Sequence, residues 1–560
     1  MPGIDRSVAP TGRRIRPSRA SLVALLLLVL PPAVSLGQLA AAGALPVSLP
    51  GLPDPGAVTR WGLPLARGLR DGSASLTIGL LLIAAVALPP ASPERAGMLE
   101  GPRHRAARLA AAFGFLWVAC GVVMVVLTYS DVAGVRVASG TGLGGVTSFV
   151  TDFDLGRALA ASTALSLTTT VLAMVARRPG MLGWAAAVAM CSLLPLAVTG
   201  HAASAVHHDL AVDAQAVHLV SVSVWVGGLA GLLLLRRRLG PSLPVVVRRY
   251  SAVAGFAYPL VALSGVGSAL AQLDAWSGLV SPYGALLSTK ALALLLLGAA
   301  GGVHRRWLLP RLADANRSAR AAFSRLAAAE VGLMSLTLGV AAALAVTPHP
   351  PEHDGAPFPS MLPEGLGSLT LWRLDTLWAS AAVAAIGGYT LAVRRLRGRE
   401  EKWPVSRTLT WTAGWSVMVV VTSAGPAADG RMAFNPHVAQ LSAIALGVPL
   451  LLGLGAPATL ALRTLASRDD GSRGPREWLL AVAEARALAM LRYPPLATSI
   501  VFITLAGLSY GPLLQLTART HVGEVVVTTH LLLCGYLLAS GVIGVVRDRF
   551  GSPRRQPAGP

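Results

Sequence analysis

Long apolar runs recur along the whole of this chain and constrain its fold more than any other feature of the sequence. About fourteen can be counted, each of about twenty residues, which is enough for a helix to cross a hydrocarbon core ~30 Å thick. Charged residues make up only 13% of the chain. We therefore expect an all-α, polytopic membrane protein with about 14 transmembrane helices. The predicted spans lie near residues 21–43, 73–92, 108–128, 156–176, 181–199, 216–235, 250–271, 284–303, 324–346, 371–393, 408–424, 438–462, 495–515 and 524–546.

The basic residues are distributed unevenly between the loops that join these runs. Of the 47 Lys and Arg residues, about 38 fall in alternate segments on one side of the membrane and about eight on the other. Segments rich in Lys and Arg face the cytoplasm, so both termini are predicted to be cytoplasmic. This topology explains the net charge of +21. We expect a multi-pass protein surrounded by the lipid bilayer of the cytoplasmic (cell) membrane, with no nucleic-acid partner.

A segment rich in Pro and Gly, from Thr347 to Ser368, cannot form a helix and divides the predicted spans into two groups. We expect residues 1–149 to hold transmembrane helices 1–3, and residues 150–351 to form a first module. Residues 352–370 would be an external linker, and residues 371–560 a second module. Within the longest cytoplasmic loop, the sequence WLLAVAEARALAML predicts a short amphipathic helix on the membrane surface.

Histidine is concentrated on one side of the predicted membrane. Only His104 and His304, of 11 histidines, fall on the cytoplasmic side. Imidazole is the commonest protein ligand of transition metals, so this asymmetry indicates metal binding on the outer side. The outer histidines are His201, His207, His208, His218, His349, His353, His437, His521 and His530. Of these, we expect a solvated setting for His349, His353 and His521.

The densest group of histidines lies in GHAASAVHHDLAVDAQAVHL, residues 200–219, an outer loop that leads into a span. Imidazoles with nearby carboxylates suit Cu(II), Zn or Ni, and Asp209 and Asp213 could orient the imidazoles through hydrogen bonds. The alternative is a polar loop with solvated histidines, and the spacing does not identify the ion. The candidate metal ligands are His201, His207, His208 and His218. The three cysteines are isolated in apolar runs and predict no thiolate site.

Two ionisable residues fall inside predicted spans of the first module. Lys290 lies about six residues from the outer end of its span, and Glu330 a similar distance from the inner end of its span. Intramembrane charges are costly, which favours a transport path that includes Asp209, Lys290 and Glu330. The alternative is that Lys290 extends outward and Glu330 pairs with Arg325. Because the two lie near opposite faces, we expect no direct pair between them.

Part of the chain resembles the copper-resistance D membrane protein family. The matching pieces are HLVSVSVWVGGLAGLLLL from His218, RRYSAVAGFAYPLVALSGVGSAL, and YGALLSTKALALLLLGAAGGVHRRWLLPRL. A helix that carries Glu330 follows them and ends in a TP…P segment at Thr347. The resemblance covers about residues 150–351 and implies copper movement or supply across the cytoplasmic membrane.

The second module resembles a truncated, divergent form of the assembly factors for caa3-type cytochrome c oxidase. The resemblance rests on MAFNPHVAQLSAIALGVPLLLGLGAPATLALR and on HLLLCGYLLASGVIGV. It implies copper delivery on the outer face, with His437 and His530 as further candidate ligands. The family usually carries HMxQH, with two histidines on one helix face. This chain has HVAQL, so Leu441 replaces the second histidine.

Together these features predict copper handling without catalysis, and we expect no enzyme. In the first hypothesis, outer histidines bind copper and the ion is imported across the membrane. In the second, the protein does not transport copper and instead presents it to a cytochrome c oxidase subunit. A third, a haem-binding electron carrier, would need histidines deep inside helices, whereas these cluster at helix ends. The implied partners are copper ions, and an external copper chaperone or an oxidase subunit.

Overall fold

Helices form all the regular secondary structure of the residues that the structure describes. The computed structural model describes residues 19–41, 54–90, 97–137, 142–199, 208–273, 276–313, 317–344, 347, 374–423, 434–509 and 521–550. The N-terminal helices are α1 (Arg19–Ala41), α2 (Ala57–Leu82), α3 (Gly101–Ala133), α4 (Gly142–Asp152), α5 (Asp154–Val175), α6 (Pro179–Cys191), α7 (His208–Leu239), α8 (Leu243–Gln272), α9 (Pro282–Val303), α10 (Leu309–Ala313) and α11 (Arg317–Leu344). A π-helical turn, His304–Leu308, joins α9 to α10.

The helices that follow belong to the predicted second module. They are α12 (Thr376–Arg397), α13 (Val405–Ser423), α14 (Phe434–Ser442), α15 (Val448–Leu454), α16 (Pro457–Thr464), α17 (Pro475–Ala483), α18 (Arg486–Leu491), α19 (Pro494–Ser509) and α20 (His521–Phe550). A π-helical turn, Ala443–Gly447, joins α14 to α15. Pro457 stands at the start of α16, after a left-handed Ala456, where the missing proline N–H leaves no helical hydrogen bond unmade.

Ten stretches of the described residues are long and apolar enough to cross a membrane. One of them, His208–Gln272, contains both α7 and α8. Two shorter apolar helices, Leu22–Gln38 and Pro494–Leu508, lie at further predicted positions. The all-α, multi-pass architecture is therefore confirmed, whereas the count of fourteen spans is not confirmed.

Helix α2 begins well before the predicted span near residue 73. Its first turns contain the buried Thr59, whose Oγ1 lies 2.6 Å from Oγ of Ser130 in α3. In the same turns Arg70 binds the carboxylate of Asp71 at 2.8 Å. Hydropathy located the apolar part of α2 but not its start. The polar side chains before the apolar run have hydrogen-bond or ion-pair partners, so the helix extends through them.

Two of the five clusters of buried apolar residues in the described part of the chain contain most of the core. The larger contains residues between Val23 and Met334, and the smaller residues between Trp378 and Leu531. In the larger cluster α2 crosses α7 at a pair of glycines, where a Cβ on Gly79 would lie 1.9 Å from the carbonyl carbon of Gly227. Small residues allow such close approach of helix backbones, so α7 is held firmly at the centre of this cluster.

The segment after α16 docks on the larger cluster. Arg468 donates to the carbonyl oxygen of Val86 at 2.6 Å, and Arg249 of α8 binds the carboxylate of Asp470 at 2.6 Å. Trp478 of α17 packs against the larger cluster. The sequence WLLAVAEARALAML was expected to form one amphipathic surface helix. It instead lies in two short helices, α17 and α18, and Trp478 faces protein.

Candidate metal site and charged pairs

The structure describes only some of the predicted outer histidine ligands. His201 and His207 lie outside the described residues, as do His349 and His353. His208 is the first residue of α7 and is half-buried. His437 lies in α14, and its side chain is outside what the structure describes.

His208 and His218 lie on one helix and are separated along it. Helix α7 begins at His208, earlier than the predicted start near residue 216. Ten residues at ~1.5 Å each place the two backbones about 15 Å apart. Nitrogen ligands lie about 2 Å from a metal ion, so one ion cannot bind both imidazoles. His208 and His218 therefore cannot share one ion, whereas a site that includes His201 and His207 stays a prediction, because those two residues lie outside the described part of the chain. Within the described part, no group of three His, Cys, Asp or Glu could hold a metal.

A serine on the neighbouring helix orients the ring of His218. Ser264 of α8 donates its only hydroxyl proton to the carbonyl oxygen of Val261 at 3.1 Å. Its Oγ also lies 3.0 Å from Nδ1 of His218, and while the serine proton points to Val261 the ring Nδ1–H is the donor at this contact. The neutral ring then carries its lone pair on Nε2, the arrangement found in metal-binding histidines.

Lys290 of α9 is half-buried and lies close enough to His218 for its positive charge to act on the imidazole. Sequence analysis placed both residues in the outer half of their spans, and the structure brings them into one electrostatic environment. Glu330 lies apart from these two residues and contacts His304 instead.

Glu330 of α11 faces His304, which the sequence placed on the cytoplasmic side and left without a role. The two side chains are 8% and 10% exposed, and Nε2 of His304 lies 3.1 Å from Oε1 of Glu330. The His304 ring also meets Phe323 edge-on, with centroids 5.2 Å apart. The pairing of Glu330 with Arg325 is thus not what the structure shows. The signal that could have indicated His304 was the presence of Glu330 inside a span.

His521 is buried between two carboxylates, which corrects the expectation that it is solvated. Its side chain is 7% exposed, with Nε2 2.8 Å from Oδ1 of Asp213 and Nδ1 3.6 Å from Oδ1 of Asp209. The charges of Glu524 and Asp375 also act within this group. Asp209 and Asp213 are on α7, whereas His521 begins α20, so the contact joins the two predicted modules. Sequence spacing could not reveal it, since His521 and Asp213 are 308 positions apart.

His530 lies on the exposed face of α20, one turn before Cys534. Its Nε2 is 3.2 Å from Oγ1 of Thr504 and 3.6 Å from Sγ of Cys534. The sequence predicted no thiolate site at Cys534, since this cysteine is isolated in an apolar run. Leu441, at the position of the family's second histidine, is 4% exposed and belongs to the smaller core cluster.

The fold and these groups define a multi-pass helical membrane protein with histidine and carboxylate side chains between its helices. Three family models match consecutive segments of it. The copper resistance protein D-like N-terminal domain matches residues 58–208, copper resistance protein D residues 244–344, and the cytochrome c oxidase caa3 assembly factor (Caa3_CtaG) residues 387–558. These matches confirm the predicted fusion of a copper-resistance D part with an assembly-factor part. The module boundaries near residues 150, 351 and 371 stay predictions.

Several curated proteins are similar to this chain. An uncharacterized protein of Mycobacterium leprae (strain TN) is 27% identical over 518 residues, which cover 90% of this chain and 75% of that protein. An uncharacterized protein of Mycobacterium bovis is 35% identical over 191 residues, 34% of this chain and 28% of that protein. The copper transport protein CutJ of Bacillus subtilis (strain 168) is 31% identical over 172 residues, 30% of each chain. No solved structure matches the chain. The family matches support copper handling at a membrane.

Proposed function

We propose that this protein binds copper on the outer face of the bacterial cytoplasmic membrane and moves it inward through the first module. The observation that carries the proposal is the contact between Ser264 and Nδ1 of His218, which supports a tautomer whose Nε2 lone pair would be available to a metal ion inside the helix bundle. In this proposal copper is the substrate, and the protein catalyses no covalent reaction.

Helix α7 supplies imidazoles at two depths. His208 at its start, with His201 and His207 before it, would bind copper from outside or from an external copper chaperone. His218, about 15 Å further along the helix axis, would bind the ion next. Asp209 is placed beside His521 and would hold the first turn of α7 in position. Lys290 acts on His218, and its positive charge would weaken cation binding there, which favours release over retention.

Copper accumulation by cells or membrane vesicles tests this proposal. We expect His218→Ala, and His207→Ala combined with His208→Ala, each to reduce uptake at least tenfold. His104→Ala is the matched control, because His104 is an exposed histidine on the predicted cytoplasmic side, and it should leave uptake unchanged. Copper uptake at the wild-type level in His218→Ala and in the combined His207→Ala and His208→Ala variant would contradict transport by this route.

The assembly-factor match over residues 387–558 favours a second function, the delivery of copper to a cytochrome c oxidase subunit. The supporting geometry is the His530 and Cys534 pair, since imidazole and thiol groups one helical turn apart are suited to copper. His530→Ala combined with Cys534→Ala should then reduce oxidase activity while copper uptake stays normal. Unchanged oxidase activity in that variant, with normal copper content of the oxidase, would contradict delivery by this pair.

A further inference from the structure

His304 and Glu330 are two ionisable groups that the helix bundle encloses together. His304 starts a π-helical turn at the end of α9, and Glu330 lies on α11. Each residue is less than 9% exposed. π-Helical turns inside α-helical segments are rare and are frequent at functional sites. The placement of His304 therefore departs from regular helix geometry at the point where its side chain meets a carboxylate.

The two groups are close but not hydrogen-bonded in the geometry that the structure shows. Nε2 and Oε1 are 3.1 Å apart, yet among the described residues neither ring nitrogen of His304 nor Oε1 of Glu330 has a hydrogen-bond partner. Buried polar atoms in native proteins are nearly always paired, and exceptions call for an explanation such as a functional role. A small rotation of either side chain would let a proton on Nε2 of His304 point at Oε1 of Glu330 and give both atoms a partner.

Two titratable or charged groups near the pair, on α8 and beside His304, make hydrogen bonds to other partners. Tyr250 of α8, which lies within electrostatic range of Glu330, donates its hydroxyl proton to the carbonyl oxygen of Trp225 at 2.6 Å. Arg305, next to His304, directs its guanidinium to Ser251, with Nε 3.1 Å from Oγ. Phe323 covers the His304 ring with an apolar edge. Nε2 of His304 and Oε1 of Glu330 are thus two facing atoms that have no other hydrogen-bond partner among the described residues.

We propose that His304 and Glu330 form a proton-binding pair at the inner end of the first module, and that copper movement is coupled to proton movement through it. This inference rests on the proposed transport function. Intramembrane His and Glu residues that face a bundle interior commonly form proton relays. The pair takes up one proton from one side of the membrane and holds it between Nε2 and Oε1. It then releases that proton to the other side of the membrane. No covalent bond other than that to the proton changes, and no electron is transferred.

Infrared difference spectroscopy of the purified full chain tests the proton-binding step without requiring copper transport. Acidification should produce a protonated carboxyl band that is absent in Glu330→Gln. In His304→Gln the midpoint of that band should shift by at least one pH unit, a tenfold change in proton concentration. Glu330→Asp keeps a carboxyl group and should keep a shifted band if the fold is intact. A carboxyl band with the same intensity and midpoint in the wild type, Glu330→Gln and His304→Gln would overturn the proposed proton-binding pair.

Proteoliposomes with an internal pH dye test the coupling step. Copper uptake by the wild type should be accompanied by proton flux. His304→Gln and Glu330→Gln should reduce that flux at least tenfold, and His104→Gln should not. Copper uptake without proton flux in the wild type would overturn the coupling and leave the proposed function standing. Absence of copper uptake in the wild type would contradict the proposed function and the coupling together, and the infrared result would still decide the proton-binding pair.

Discussion

His521 and Asp213 form a buried hydrogen-bonded pair, with Nε2 of His521 2.8 Å from Oδ1 of Asp213. The pair connects α20 of the assembly-factor part to α7 of the copper-resistance D part. Asp209, on the same face of α7 one turn earlier, approaches the other ring nitrogen at 3.6 Å. The helix that carries the candidate copper ligands His208 and His218 is therefore fixed by a residue of the other family part.

The first prediction concerns the stability of this junction. His521→Ala would leave the carboxylate of Asp213 buried without its partner and should lower the free energy of unfolding by about 3 kcal/mol. The free energy is measured by thermal or denaturant unfolding in detergent. Asp213→Asn should cost a similar amount. The double variant should cost much less than the sum, because the residues share one interaction. Strictly additive effects would contradict the pairing, and His104→Ala serves as an exposed control.

The second prediction concerns the orientation of His218. Ser264→Ala removes the acceptor for the His218 ring proton and should weaken copper binding by about tenfold, since hydrogen-bond partners of metal-ligating histidines typically contribute 10–100-fold to affinity. Competition titration of the purified protein with a copper chelator measures the change. Ser268→Ala, one turn further on the same helix, is the matched control. Equal affinities for the Ser264→Ala variant and the wild type would contradict a ligand role for Nε2 of His218.

The third prediction concerns the missing family histidine. Leu441→His restores the second histidine of the family pattern, but Leu441 is 4% exposed in the smaller core cluster. An unpaired imidazole there should cost about 2 kcal/mol of unfolding free energy. It should add no copper to the purified protein. Leu441→Met, which keeps an apolar side chain of similar size, should cost less than half as much. Increased copper content in Leu441→His, with unchanged stability, would show that this position can still bind metal.

The fourth prediction concerns pH and the docked segment after α16. Burial alone would raise the pKa of Asp470, but hydrogen bonds from Ser472 and Arg249 outweigh it and lower the pKa from 3.8 to about 2. Because the folded state holds the ionised form, the stabilisation is fully present above pH 3.8. It disappears as the pH falls through about 2. The difference in Tm between the wild type and Asp470→Asn should therefore be constant near neutral pH and shrink below pH 4.

The neighbouring Asp469 provides the control for that measurement. Asp469 is exposed, and Asp469→Asn should show a small Tm difference at every pH. A Tm difference for Asp470→Asn that grows on acidification would have the wrong sign and would contradict a stabilising role for the ionised carboxylate.

Much of the fold could be predicted because helix formation in a membrane depends on local composition. The helices near the predicted spans coincide with apolar runs, which local composition reveals. The resemblance to both families likewise rested on short contiguous segments. The helix starts were less predictable. Helices α2 and α7 begin earlier than hydropathy indicates, since Arg70 and His208 reduce the apolar signal without ending the helix.

The candidate site was predicted in its residue types and only partly in its arrangement. His218, Lys290 and Glu330 were found because ionisable groups in apolar runs are conspicuous. His304 received no role because the sequence places it on the predicted cytoplasmic side, and His521 was expected to be solvated in an outer loop. Their partners, Glu330 and Asp213, lie on other helices. No local sequence pattern specifies which helices pack against each other.

The sequence by itself determined that this protein is a multi-pass protein of membrane helices, and its loop charges predict that the histidines lie mostly on one side. Tertiary structure alone decided which of those histidines share an environment. The physical reason is that periodicity and hydropathy act over one helix, whereas a contact such as His521 with Asp213 depends on how helices pack across 308 positions. The separation of His208 from His218 likewise became visible only when α7 was seen to begin at His208.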